Sequence, residues 1–102
     1  MNVDQKIIQL LSNNDQSVVL KILREVVPSI WPLMRRKFDL LLEESDMEEV
    51  FALSIANVWT LRDKMEFPRN DFSGKFYLIV RHFATQKYIQ KFDEICQQKK
   101  KS

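Results

Sequence analysis

SDMEEVFALSIANVWTLRDKMEFPRNDFSGKFYLIVRHFATQKYIQK, residues 45–91, consists of two long amphipathic patterns joined by a short polar turn around Pro68. In the first, Met47, Val50, Phe51, Ile55, Val58 and Trp59 recur at helical spacing. Ser45 and Glu48 give it an S-x-x-E opening, in which a serine oxygen takes a free backbone N–H and the glutamate answers reciprocally. In the second, Phe72, Phe76, Ile79, Val80 and Phe83 fall on one helical face, and Asp71 is placed to cap it. Two helices and a tight polar connection are the predicted centre of the molecule.

Upstream, Ile7, Ile8, Leu10 and Leu11 predict a short helix ended by Ser12-Asn13-Asn14. Asp15 is the expected N-cap of a second pattern, Val18, Val19, Ile22, Leu23, Val26 and Val27. Pro28 should break that helix, because proline lacks a donor and clashes with the preceding turn. Leu33, Met34, Phe38, Leu41 and Leu42 form a further run, with Pro28 or Pro32 in its first turn, where proline is tolerated. Every apolar run thus has the helical period. The single Gly and three Pro do not supply the turns of a β fold. The expected fold class is all-α, a compact bundle of four to five helices over residues 1–95, with 96–102 as a basic tail or the start of a linker.

At 102 residues the chain allows one domain, and its 45% hydrophobic content suffices for a core. The net charge of +2 is not in itself a nucleic-acid composition. Its distribution is uneven: acidic residues bunch at Glu43 to Glu49, basic ones at Arg35 to Lys37 and from Lys75 onward. Cys96 is the sole cysteine, which excludes an intrachain disulfide and suits a reducing cytoplasm. The N-terminus lacks a signal-peptide layout, and the longest apolar runs are too short to span a membrane. His82, the sole histidine, has no Ser or Cys partner at a triad spacing. The carboxylates of Glu43 to Glu49 sit at a helix start, where the dipole favours negative charge without a metal or an acid–base pair. Neither an enzyme nor a cofactor, metal or small-molecule substrate is expected.

The order and spacing of Asp46, Glu48, Glu49, Val50 and Trp59, then Asp63, Lys64, Phe67 and Pro68, then Phe72, Phe76, Ile79, Arg81 and Ala84 resemble region 2 of the sigma-70 family of bacterial transcription initiation factors. The likeness is greatest to the small extracytoplasmic-function type. It extends over roughly Asp4 to Phe92 and is stronger after Ser45 than before it. It implies a factor that binds core RNA polymerase, through the β′ clamp helices, and the −10 promoter element as melted single-stranded DNA. An anti-sigma factor is a further candidate partner. The polymerase-facing candidates are Asp46, Glu49, Leu53, Ala56 and Asn57. The DNA-facing candidates are Lys64, Phe67, Arg69 and Asn70 in the turn, and Lys75, Tyr77, Arg81, Lys87, Tyr88 and Lys91 on the last helix. Tyr77, Arg81, Ala84 and Tyr88 line up along one helical face, where aromatic rings could stack on unpaired bases and cations could hold phosphates.

The chain departs from the family pattern where members often carry Gln-Glu: it has Ala52-Leu53. The first helix then carries more apolar residues than one face can hold, and Leu53 is expected at the surface as part of a partner site. A helical protein–protein interaction module with a sigma-like fold and no DNA binding is the alternative reading.

Overall fold

The structure, a computed structural model, describes residues 2–38 and 41–101, with side chains described through Lys99. Five α-helices follow one another: α1 Val3–Ser12, α2 Val18–Glu25, α3 Val27–Phe38, α4 Glu44–Thr60 and α5 Phe72–Lys101. A single 3₁₀ turn, Pro68–Asn70, precedes α5. The described residues contain no strand.

Each boundary has a local cause. Asn2 caps α1 by accepting the Gln5 N–H at 2.8 Å, and Gln5 returns a bond to the Asn2 N–H. Asn14, with φ 55°, turns the chain out of α1 through the left-handed region. Asp15 accepts the Ser17 N–H at 3.0 Å, so it organises the turn before α2 rather than capping the helix itself. The break predicted before Pro28 occurs at Val26, and Pro28 lies in the first turn of α3. There the Ser29 hydroxyl donates to the Val26 carbonyl at 2.7 Å. Pro32 stays inside α3, with its ring exposed.

The start of α4 differs from the sequence expectation. The capping box is formed by Glu43 and Asp46, not by Ser45 and Glu48. Asp46 accepts the Glu43 N–H at 2.8 Å, while Ser45 and Glu48 point to solvent. The helix therefore begins earlier than the serine suggests. At α5 the predicted cap is present: Asp71 accepts the Gly74 N–H at 2.9 Å. The helix continues to Lys101, through the stretch expected to be a tail or linker. The remainder of that basic run, the Lys100 and Lys101 side chains and Ser102, lies outside the described residues.

Helix α5 is the spine. Phe72, Phe76, Val80 and Ala84 descend along it at four-residue steps, all fully buried. Met47, Val50, Ser54 and Val58 of α4 are buried to within about the same degree, and α4 makes its most extensive contacts with α5. Phe72 and Phe76 stack at 5.5 Å, and Phe76 meets Phe51 at 6.4 Å. Ile7 and Leu11 of α1, Val18 and Ile22 of α2, and Ile30, Met34 and Phe38 of α3 close the core from the other sides. Asp4 fixes α1 to the start of α5, accepting the Ser73 N–H at 3.0 Å and the Ser73 hydroxyl at 2.6 Å. The molecule measures 56 × 24 × 22 Å, its long dimension exceeding the others by more than twofold because of α5.

Candidate functional site

The α4–turn–α5 hairpin holds most of the candidate residues. In the turn, Arg69 and Asn70 have φ 59° and 54°. This backbone is uncommon for residues other than glycine. It is supported here by hydrogen bonds from the Asn70 N–H to the Phe67 carbonyl and from the Asp71 N–H to the Pro68 carbonyl. Phe67 is half-buried, 5.8 Å from the Phe72 ring, and anchors the turn to the core. Lys64, Arg69 and Asn70 are exposed. Lys75 donates to the Glu66 carbonyl and lies 5.4 Å from the centre of the Phe67 ring, within cation–π range. Beside the turn is a hollow of about 540 Å³ lined by Pro68, Arg69, Asp71, Gly74, Lys75 and Leu78.

The predicted face of Tyr77, Arg81, Ala84 and Tyr88 does not form one exposed platform. Ala84 is in the core, Tyr77 and Tyr88 are half-buried, and Tyr88 packs 6.0 Å from Phe38. The cause is tertiary: Phe38 at the end of α3 packs on Tyr88, and Ala84 is enclosed by the core. Arg81 alone of the four is exposed.

Farther along α5, two candidates from each set meet one another. Lys87 Nζ lies 2.6 Å from a Glu49 carboxylate oxygen, and Lys91 pairs with Asp46. Burial pushes the Asp46 carboxyl upward. The hydrogen bonds from Lys91 and from the Glu43 N–H, with the charges of Lys91 and Lys87, outweigh it and hold the group below its ordinary 3.8. The hydrogen bond to Glu49 raises Lys87, against a smaller opposing effect of burial, and the bond to Asp46 does the same for Lys91. These four side chains thus cross-link α4 to α5. The acidic start of α4 and the basic stretch of α5 were legible separately in the sequence; their pairing was not.

Beside this ionic margin Leu53, 46% exposed, shares a shallow hollow with Glu49, Val50, Phe83 and Lys87, and farther along α4 Ala56 is exposed and Asn57 half-buried. A third surface was not anticipated. Between α4 and the α2–α3 pair runs a groove of about 520 Å³, walled by Val19, Leu23, Val27, Trp31, Phe51, Ile55 and Trp59 and floored by Ala52 and Ala56. Trp31 stacks on Phe51 at 5.2 Å, and Arg62 lies 4.0 Å above the Trp59 ring. The surplus of apolar residues on α4 was the signal for it. Which elements would leave the groove open could not be read from α4 alone. Among the described residues there is no His, Cys, Asp and Glu grouping able to hold a metal, and no helix is long and apolar enough to cross a membrane.

Compared with protein-family models, with characterised proteins and with solved structures, the chain matches none.

Proposed function

We propose that this helical bundle is a transcription initiation factor domain of the sigma region 2 type, acting by binding core RNA polymerase and single-stranded promoter DNA. The observation that carries the reading is the turn between α4 and α5. It is anchored by Phe67 on Phe72, and it opens onto a hollow bordered by Arg69 and Lys75. A loop hollow of this kind suits a base turned out of its stack, and adjacent cations suit the phosphates on either side of it. Leu53 and Ala56 offer an exposed apolar strip to the polymerase from the same hairpin.

The test is a titration of fluorescent single-stranded DNA at several salt concentrations. Lys87 and Lys91 are engaged with Glu49 and Asp46, which leaves Lys64, Arg69 and Arg81 as exposed cations for phosphate contact. Three contacts give a logarithmic salt slope of about −2 for a single strand. Arg69→Ala and Arg81→Ala should each weaken binding and flatten the slope, and duplex DNA should bind far less well. Equal weak binding by the parent and both variants would remove DNA from the reading.

The apolar groove favours a second reading, a protein-interaction module that does not bind DNA. Leu53→Asp separates the two partners of the first reading: it should abolish capture of purified core polymerase and leave DNA binding unchanged.

A further inference from the structure

The two halves of α5 have different environments. Its core-facing row ends at Ala84, and every described residue from Phe92 to Lys99 is exposed. A helix segment of this length without packing is marginal in water, since helical stability comes mostly from burying an apolar face. Yet this segment is not polar all round. Ile89 is 54% exposed, Phe92 53% and Ile95 39%.

These residues belong to a row that the core does not use. Leu78, His82, Thr85, Ile89, Phe92 and Cys96 alternate four- and three-residue steps, the spacing of a two-stranded coiled-coil seam. At about 100° per residue, His82 stands roughly 200° and Ile89 roughly 140° round the helix from Ala84, so both turn away from the core, while Phe92, roughly 80° round, lies past its end. All six residues are exposed.

We propose that this outward row is a self-association seam, and that it pairs in parallel with the same row of a second copy. The parallel sense follows from how the row is composed. Its apolar weight lies at the C-terminal end, in Ile89 and Phe92 with Ile95 beside them, while His82 and Thr85 are polar. Parallel pairing sets Ile89 on Ile89 and Phe92 on Phe92. Antiparallel pairing over the full row would set them against Thr85 and His82, and an antiparallel register shifted to bring Ile89 onto Phe92 would leave Leu78 unpaired. In the parallel register the flanking positions bring Arg81 against Gln86 and Tyr88 against Asp93, with no like charges opposed. The C-terminal end of the row stands clear of both bodies, because every described residue from Phe92 to Lys99 is exposed.

The size of the contact fixes its strength. From Leu78 to Cys96 the row is roughly 30 Å long on a helix about 10 Å wide, a footprint of roughly 300 Å² per copy. A standard stable interface takes about 800 Å² from each partner. The dimer is therefore transient and concentration-dependent, and at its N-terminal end it overlaps the DNA-facing surface at Leu78 and Arg81.

Cys96 supplies the probe, because parallel pairing brings the two thiols of a dimer together. The full chain is treated with a short bismaleimide, whose two ends each add one thiol, and its mass is followed by sedimentation velocity over a concentration series. The expected result is a reversible monomer–dimer equilibrium and a covalent dimer formed through Cys96. Ile89→Glu and Phe92→Glu should each weaken association at least tenfold with the helical circular dichroism unchanged. Leu20→Glu, at an exposed position on α2, should leave it as in the parent. A chain that stays monomeric to about 1 mM overturns the proposal. So does a dimer that survives Ile89→Glu and Phe92→Glu, or one that Cys96 does not cross-link.

Discussion

The two sides of α4 are built from similar residues and end in opposite states. Toward α5, Met47, Val50, Ser54 and Val58 are sealed against Phe72, Phe76 and Val80, and the margin is closed by Glu49–Lys87 and Asp46–Lys91. Toward α2 and α3, Phe51 and Ile55 are covered at the base, with Trp31 stacked on Phe51, but Trp59 stays half-exposed and an open groove remains above them. The small residues differ in position. Ser54 lies in the sealed seam and satisfies its hydroxyl by donating to the Val50 carbonyl at 2.7 Å, whereas Ala52 and Ala56 lie at the surface and leave space above them. Apolar character alone therefore does not decide whether a helix face is core or surface. The presence of a second element at packing distance does.

The largest effect should come from opening the sealed side. Phe76→Ala removes a fully buried ring between Phe72 and Phe51 and is expected to cost about 3–5 kcal/mol in urea unfolding. Trp59→Ala, on the open side, should cost less than half of that, because the ring is already half-exposed. Equal losses would mean that the groove is closed in solution.

Enlarging a small residue sharpens the same contrast. Ser54→Leu forces extra volume into a site with no exposed surface and should destabilise by about 1–3 kcal/mol. Ala56→Leu extends into the groove and should change stability by no more than about 0.5 kcal/mol.

The ionic margin sets a pH dependence. Asp46 is held below 3.8, so its contribution is complete above the unfolded value and is lost as pH falls through the lowered folded value. Asp46→Asn should be less stable than the parent by about 1 kcal/mol at neutral pH, with the gap closing under acid conditions below 3.8. Lys87 and Lys91 have raised values, so their share persists until the pH exceeds the ordinary lysine value of 10.5. A gap that does not narrow in acid would show that the Asp46 carboxylate charge contributes nothing.

The smallest expected change is at Leu53. Leu53→Asp should leave the stability within about 0.5 kcal/mol of the parent, since the side chain is 46% exposed and lies outside the buried core. A larger loss would make the strip beside Ala56 and Asn57 part of the core rather than a partner surface.

The helices themselves were determined by sequence. Their apolar spacing, the break before Pro28 and the Asp71 cap are properties of a few neighbouring residues, and local backbone sterics and hydrogen bonding fix them before any packing occurs. Leu53 was legible as a surface residue for a related reason: one helix face holds only so many side chains. The Glu43–Asp46 cap was missed because several acidic and hydroxyl residues in succession can each offer an oxygen, and only the path of the chain entering α4 selects between them. Tertiary structure alone decided the remainder. Tyr77 and Tyr88 share a helical face with Arg81, but packing leaves both rings half-buried, Tyr88 against Phe38 of α3. Lys87 and Lys91 appear as available cations along the chain, yet helix packing brings Glu49 and Asp46 to them from some forty residues away. Periodicity states which face of a helix is apolar or charged. Which neighbour meets that face, or whether any does, depends on contacts between residues far apart in the chain.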